Sequence, residues 1–531
     1  MKGIKIIIIF ILFLSLFCSQ FFKTEFDILV KNGKIIDGTG NPYYISDIGI
    51  KEGKIYKIGK ISDKKAKLIV EAKNLVVAPG FVDIHTHVDR GILKDPTVQN
   101  YITQGVTTVV GGNCGGSPLD IGDFLRKVHR KGIALNFGIL IGHNTVRKKV
   151  MDNENREPTQ QELEEMKKLI EDGMKAGALG LSTGLKYIPG AYSKTEEVIE
   201  LAKVVAKYGG FYASHLREEG LGLIDAVKEA IEIGEKAGVP VEISHHKVVS
   251  VDRWGDSKIT LKLIDEARSK GIDVKADQYP YPATSTGFTV LFPPWALEGG
   301  TQKLIERLNS PQERKKIKEA IKYNIMHDRG GADLSNIRVA SFPADSTLEG
   351  LSVKDILIKK EKKVNLDNGA ELIMDMSIEK GGVSAIYRCL SDKDIERIMK
   401  HPAVMHASDG AVITFGKGVP HPRNYGTFPR VLSKYVREKH IIKLKEAIRK
   451  MTSLPASMIG AHNRGVIKEG LWADIVIFDP DKIKDKATFD DPHQYPEGIY
   501  YVIVNGTVVV EKGKITGKLP GKIIYGPDKK K

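Results

Sequence analysis

Apolar and polar positions along the chain fall into three regimes. From residue 26 to 77 the apolar residues come in short runs broken at glycine. Asp27-Ile28-Leu29-Val30 leads through Lys31-Asn32-Gly33-Lys34 to Ile35-Ile36, and Ile48-Gly49-Ile50 leads through Glu52-Gly53 to Ile55-Tyr56-Lys57-Ile58. Asn-Gly between apolar runs predicts a hairpin, and Glu-Gly does so more weakly. The C-terminal region has the same short, glycine-broken runs. Ile475-Val476-Ile477-Phe478 forms one, and Val502-Ile503-Val504 meets Thr507-Val508-Val509-Val510 across Asn505-Gly506. Two β-rich ends around a different middle predict one small β-sandwich domain assembled from 26–77 and 456–531.

The middle, 78–455, alternates short apolar runs with segments of helical period. Predicted strands end at Gly111-Gly112-Asn113-Cys114, Gly142-His143, Ser182-Thr183, Ser214-His215, Ser244-His245 and Asp277-Gln278, with helices over 162–176, 223–237 and 259–270 between them. Repeated strand–helix units with nearly continuous apolar strands predict a parallel sheet closed into a barrel. The expected fold is therefore α/β, a (β/α)8 TIM-like barrel with a small β-sandwich domain formed from both chain ends. Residues 299–337 break the rhythm. They are helical and rich in Lys and Glu, and read as an inserted, lid-like segment.

Before all this, residues 1–22 carry Lys2 and Lys5 ahead of an apolar run from Ile6 to Phe17. The run is shorter than the ~20 residues of a membrane-spanning helix and matches an export signal. Leu14-Ser15-Leu16-Phe17-Cys18 is a loose lipoprotein box, with lipidation of Cys18 as the lesser alternative. Export, to the periplasm or beyond, is the expected localisation.

Composition adds little to this picture. Charged residues make up 28% and hydrophobic ones 41%, which excludes a disordered chain. The formal charge of +15 is spread over amphipathic segments. No basic run is interleaved with aromatics, which argues against nucleic-acid binding. Three cysteines, Cys18, Cys114 and Cys389, make no disulfide framework.

The chemistry gathers where predicted strands end. Val82-Asp83-Ile84-His85-Thr86-His87 closes an apolar run. In an extended strand the two histidines share a face and can share a metal. Cys114 lies among Gly111, Gly112, Gly115 and Gly116; His215 and His245 end later strands; Asp409 follows Val404-Met405-His406-Ala407-Ser408. Each residue alone fits a structural role. Six of them at strand ends, where barrel enzymes keep their chemistry, form a donor set of imidazole, thiolate and carboxylate that suits zinc. Strand alternation leaves either His245 or His246 facing the interior.

This pattern resembles the amidohydrolase superfamily and, within it, the N-acyl-D-amino-acid deacylase (D-aminoacylase) family. The resemblance covers essentially the whole chain after the export signal. It rests on Gly80-Phe81-Val82-Asp83-Ile84-His85-Thr86-His87, Gly112-Asn113-Cys114-Gly115, His215-Leu216-Arg217-Glu218-Glu219, Ser244-His245-His246-Lys247, Tyr279-Pro280-Tyr281 with Ser285-Thr286, Ser408-Asp409-Gly410, and His421-Pro422-Arg423. It implies a tightly held zinc on Cys114, His215 and His245. A second, weaker site would use His85, His87 and Asp409, with Cys114 able to bridge where most relatives carry a modified lysine. It also implies amide hydrolysis by hydroxide on the metal, with Asp409 as proton shuttle. The implied substrate is a small N-acyl-D-amino acid, whose free carboxylate Lys247, Tyr279, Ser285 and Arg423 would hold. The D configuration comes from the resemblance alone. Tyr187 is a further pocket candidate, while Arg217 and His143 read as structural or as supports behind the site residues. The alternative is a cyclic-amide hydrolase of the hydantoinase or dihydroorotase kind, which the cysteine in the bridging place argues against. Finally, 285–296 contains no Lys or Arg and offers Phe288, Leu291, Phe292 and Trp295. By analogy with the family it borders the pocket, which predicts a preference for apolar D-residues.

Overall fold

The structure, a computed structural model, describes residues 25–527. The expected export signal and Cys18 lie outside the described residues.

Among the described residues, eight parallel strands run in chain order around the centre: Phe81–Asp83, Val106–Gly111, Asn136–Ile139 (continued by Ile141–Gly142), Gly180–Gly184, Phe211–His215, Val241–Ile243, Val274–Gln278 and Val404–His406. The ring closes between last and first. The Asp409 N–H donates to the His85 carbonyl at 2.9 Å, and the His87 N–H to the Gly410 carbonyl at 2.7 Å. Every residue of Val106–Gly111 is buried, as a strand covered on both faces requires. The intervening helices carry their own start and stop signals. Gln160–Ala176 begins with a reciprocal capping box between Thr159 and Glu162 and ends at Gly177, whose φ is 110°.

The chain ends meet in one nine-stranded sheet, where Ile475–Phe478 pairs with Val76–Pro79. Its apolar face is a separate core that includes Ile28, Ile48, Val77, Ile475 and Ile503. Glu52-Gly53 and Asn505-Gly506 make the expected two-residue hairpins; Glu52, Gly53, Asn505 and Gly506 all have positive φ. Asn32-Gly33 does not. Phe26–Ile35 runs straight through it as one strand with a register shift, because the Asn32 N–H finds Asp47 Oδ1 at 2.9 Å instead of closing a turn.

The insertion is larger than 299–337. The chain leaves the barrel after Gln278 and returns at Val404. Between them lie the helices Gly300–Asn309 and Pro311–His327, and also the antiparallel strands Thr284–Gly287, Ile337–Ser341 and Ser384–Tyr387. Only the Lys/Glu-rich helices stood out in sequence. The strands that flank them are short and pair with partners far along the chain.

Candidate metal centre and cavity

At the C-terminal end of the barrel the strand ends deliver the six predicted residues to one place. Cys114 Sγ lies 3.4 Å from His85 Nε2, 3.6 Å from His215 Nδ1 and 3.5 Å from His245 Nε2. His87 Nε2 and His85 Nε2 lie 3.1 and 3.6 Å from Asp409 Oδ1. A tetrahedral zinc with Zn–S of about 2.3 Å and Zn–N of about 2.0–2.1 Å has S···N edges of about 3.6 Å. Cys114, His215 and His245 fit that size, and His85, His245 and Asp409 form a second overlapping group of donors. The residues present therefore fit zinc.

The backbone is bent to achieve this. Cys114, His245 and Asp409 all sit in the left-handed region, at φ 54°, 39° and 50°. Such positions cost non-glycine residues about 1–3 kcal/mol each and gather at functional sites. They also change how the sequence is read. The first strand ends at Asp83 and the sixth at Ile243, so neither His85/His87 nor His245/His246/Lys247 lies in extended strand. The left-handed turn at His245, not alternation, sends that ring to Cys114. His246 turns away, and its Nε2 meets Thr260 Oγ1 at 2.8 Å. Lys247 doubles back onto Glu219 Oε1 at 2.5 Å and His245 Nδ1 at 2.6 Å.

Burial opposes charge on every group here, and the partners decide the outcome. His85 and His245 hold the Cys114 thiol well below its usual range. Arg423, 2.7 Å from Asp409 Oδ2, and His87 hold the Asp409 carboxyl well below the carboxylate range. His85 Nδ1 rests on the fully buried Asp277 at 3.1 Å.

A cavity of about 1480 Å³ opens over the cluster. Lys247, Tyr279, Ser285, Arg423 and Tyr187 all line it. The Tyr279 ring lies 4.9 Å from the Arg423 guanidinium and 5.6 Å from Lys247 Nζ, and its buried hydroxyl has no protein partner. His143 and Arg217 do not line the cavity; they pair with Glu197 and Glu229. The apolar wall is not as expected. Of Phe288, Leu291, Phe292 and Trp295 only Phe288 lines the cavity. Leu291 and Phe292 are buried in the core, because this stretch folds into short 3-10 turns that face the insertion's helices. A cation missing from 285–296 arrives instead from beyond the helix Pro311–His327, as Arg329. The basis for an apolar preference is thus removed.

Sequence reasoning missed Asp277, Glu219 and Arg329. Asp277 carried a signal, an acidic residue at a barrel strand's C-terminal end, and so did Glu219, four residues after His215. Arg329 carried none.

A parallel α/β barrel with thiolate, imidazole and carboxylate donors at its C-terminal mouth defines a metal-dependent barrel hydrolase. The sequence model of the amidohydrolase family matches residues 68–258 and 346–510. The chain is 35% identical to D-aminoacylase from Alcaligenes xylosoxydans xylosoxydans, over 95% of this chain and 99% of that protein. A crystal structure of D-aminoacylase superposes with a TM-score of 0.80 at 34% identity, covering 94% of this chain and 99% of that one. The N-acyl-D-glutamate deacylase of Bordetella bronchiseptica, complexed with zinc and a phosphonate mimic of the tetrahedral intermediate, superposes with a TM-score of 0.81 at 32% identity, over 94% and 100%. The chain belongs to the amidohydrolase family and, within it, to the D-aminoacylase group of N-acyl-D-amino-acid deacylases.

Proposed function

We propose that this protein is a zinc-dependent deacylase that cleaves the amide bond of N-acyl-D-amino acids to a carboxylate and a free D-amino acid. One observation carries the reading: a single thiolate, Cys114, lies 3.4–3.6 Å from imidazole nitrogens of three separate strand ends. Cys114, His215 and His245 would hold the tight zinc, and His85, His87 and Asp409 the weaker one. Bound there, zinc supplies an acidified water and polarises the amide carbonyl.

The chain's own groups do the rest. Asp409 enters ionised and accepts the proton of the attacking water. Its second oxygen, held by Arg423, keeps it aimed as it returns that proton to the leaving amine nitrogen. Arg423, Tyr279 and Ser285 bind the substrate's α-carboxylate. The unpartnered Tyr279 hydroxyl supports this, since a buried hydroxyl without a partner is costly until a ligand meets it. Lys247 adds positive charge to the same wall. The cyclic-amide alternative is disfavoured by the thiolate in the bridging place, and the relatives that match along the full chain at 32–35% identity are linear-amide deacylases.

The sheet built from both chain ends, with its own apolar core, is proposed as a separate small β-sandwich domain beside a (β/α)8 TIM-like barrel. Residues 1–22 are proposed as an export signal. A panel of N-acetyl-D-, N-acetyl-L- and cyclic amides on zinc-loaded enzyme tests the function. Turnover confined to the D series is expected; turnover of the cyclic amides alone overturns it.

A further inference from the structure

Glu219 is 2% exposed and faces four partners at once. Its Oε1 lies 2.5 Å from Lys247 Nζ and 3.1 Å from His245 Nδ1. Its Oε2 lies 3.6 Å from His215 Nε2 and 3.7 Å from Arg329 Nη2. The two imidazoles are used symmetrically. Each turns one nitrogen to Cys114, Nδ1 of His215 and Nε2 of His245, and the opposite nitrogen to this carboxylate. His215 Nε2 is fully buried and has no hydrogen-bond partner. Gly220 comes next, and a Cβ there would sit 2.0 Å from Asp328 Oδ1. Only glycine lets the insertion press its Asp328–Arg329 pair against the carboxylate.

An imidazole that binds a metal through one nitrogen carries its proton on the other, and that N–H is oriented by an acceptor. Lys247 Nζ lies nearer to His245 Nδ1, at 2.6 Å, than Glu219 does, but an ammonium only donates and cannot accept the proton that metal binding through Nε2 leaves on Nδ1. Arg329 cannot accept from His215 for the same reason. Among the described residues, Glu219 is the carboxylate that lies within 3.6 Å of both outward nitrogens. We propose that Glu219 is a positioning residue, a single carboxylate that fixes the tautomer and angle of both histidines flanking Cys114. The inference rests on the zinc site proposed above. Lys247 and Arg329 have a second duty on this view. Glu219 and Asp328 carry two negative charges, and the two cations balance them.

Glu219→Gln keeps the shape and one acceptor but loses the charge and the second acceptor. Zinc affinity is measured by chelator competition, with the Co(II) absorption spectrum and the unfolding midpoint of the zinc-free protein recorded beside it. The expected result is a zinc dissociation constant raised about 10–100-fold, altered Co(II) bands, a fall in kcat at nearly constant KM, and a zinc-free midpoint close to wild type. Glu219→Asp, which keeps the charge, should recover part of the affinity. Affinity within about twofold of wild type in Glu219→Gln overturns the inference, and so does lost stability at unchanged affinity. A wild-type chain that holds no zinc sinks the zinc site itself, and this inference with it. If neither variant folds, imidazole 15N spectra of the zinc-loaded wild type decide. Strongly downfield N–H protons on His245 Nδ1 and His215 Nε2, as a carboxylate acceptor produces, are expected, and N–H shifts in the ordinary imidazole range overturn it.

Discussion

The sheet built from the chain ends and the mouth of the barrel both depend on left-handed residues, and they place them very differently. In the sheet these positions fall on Asn32, Glu52-Gly53 and Asn505-Gly506, where a tight connection or bulge needs them and mostly on residues that tolerate them. The core beneath is largely apolar, with a few buried charges such as Asp47 and Asp474 tied to Lys31 and Arg464. At the mouth they fall on Cys114, His245 and Asp409, the residues proposed to hold the metal and move the proton, and the surroundings are buried ions. The sheet's local rules agree with its fold at Glu52-Gly53 and Asn505-Gly506 and yield to a distant partner at Asn32-Gly33. The mouth breaks them, and the rigid barrel holds it there. At Cys114, His245 and Asp409 the conflict between local preference and structure points to function.

That contrast can be broken from either side. The largest effect is expected at the mouth. Asp409→Asn should lower kcat by about 10²–10⁴-fold while the tight zinc and the unfolding midpoint stay near wild type; near-normal turnover would remove Asp409 from the reaction. Next, His245→Ala should lose more zinc affinity than the roughly 10–100-fold typical of a residue outside the ligand set, with His246→Ala milder. The reverse order in chelator competition would show the wrong histidine was chosen. In the sheet, a Cβ at Gly506 would lie 2.5 Å from Gly53 Cα, at φ 74°. Gly506→Val should cost about 2–4 kcal/mol in urea unfolding and leave kcat unchanged. A drop in kcat with no loss of stability would mean that sheet and mouth are not separable.

The smallest effect is a pH dependence. Burial pushes the His246 imidazole down to about 4, against about 6.5 in an unfolded chain. Between these values the unfolded state holds more protons. The stability tied to neutral His246 is therefore full above pH 6.5 and lost as the pH falls toward 4, by about 3 kcal/mol at most. His246→Gln should flatten the stability profile over that window; an unchanged slope would assign it to other groups.

Much of this was legible in the sequence because it is local. The barrel's strand ends, the helix Leu223–Ala237 and the Glu52-Gly53 and Asn505-Gly506 hairpins follow from periodicity and turn chemistry within a few residues. The six donor residues were legible because each follows closely on a strand's end. What was not legible depends on distant partners. Asn32-Gly33 looks like a turn until Asp47 captures its N–H. His245 and His246 are equal until the backbone turns left-handed. Arg329 becomes part of the site only because a 279–403 excursion folds back over it.

Cys114, His215 and His245 are proposed to hold the metal that makes the mouth reactive. That assignment is tested most directly by elemental analysis of dialysed Cys114→Ala beside wild type. We expect zinc to remain on the wild-type chain and to be all but absent from a folded Cys114→Ala. A variant that retains its full zinc would contradict the assignment.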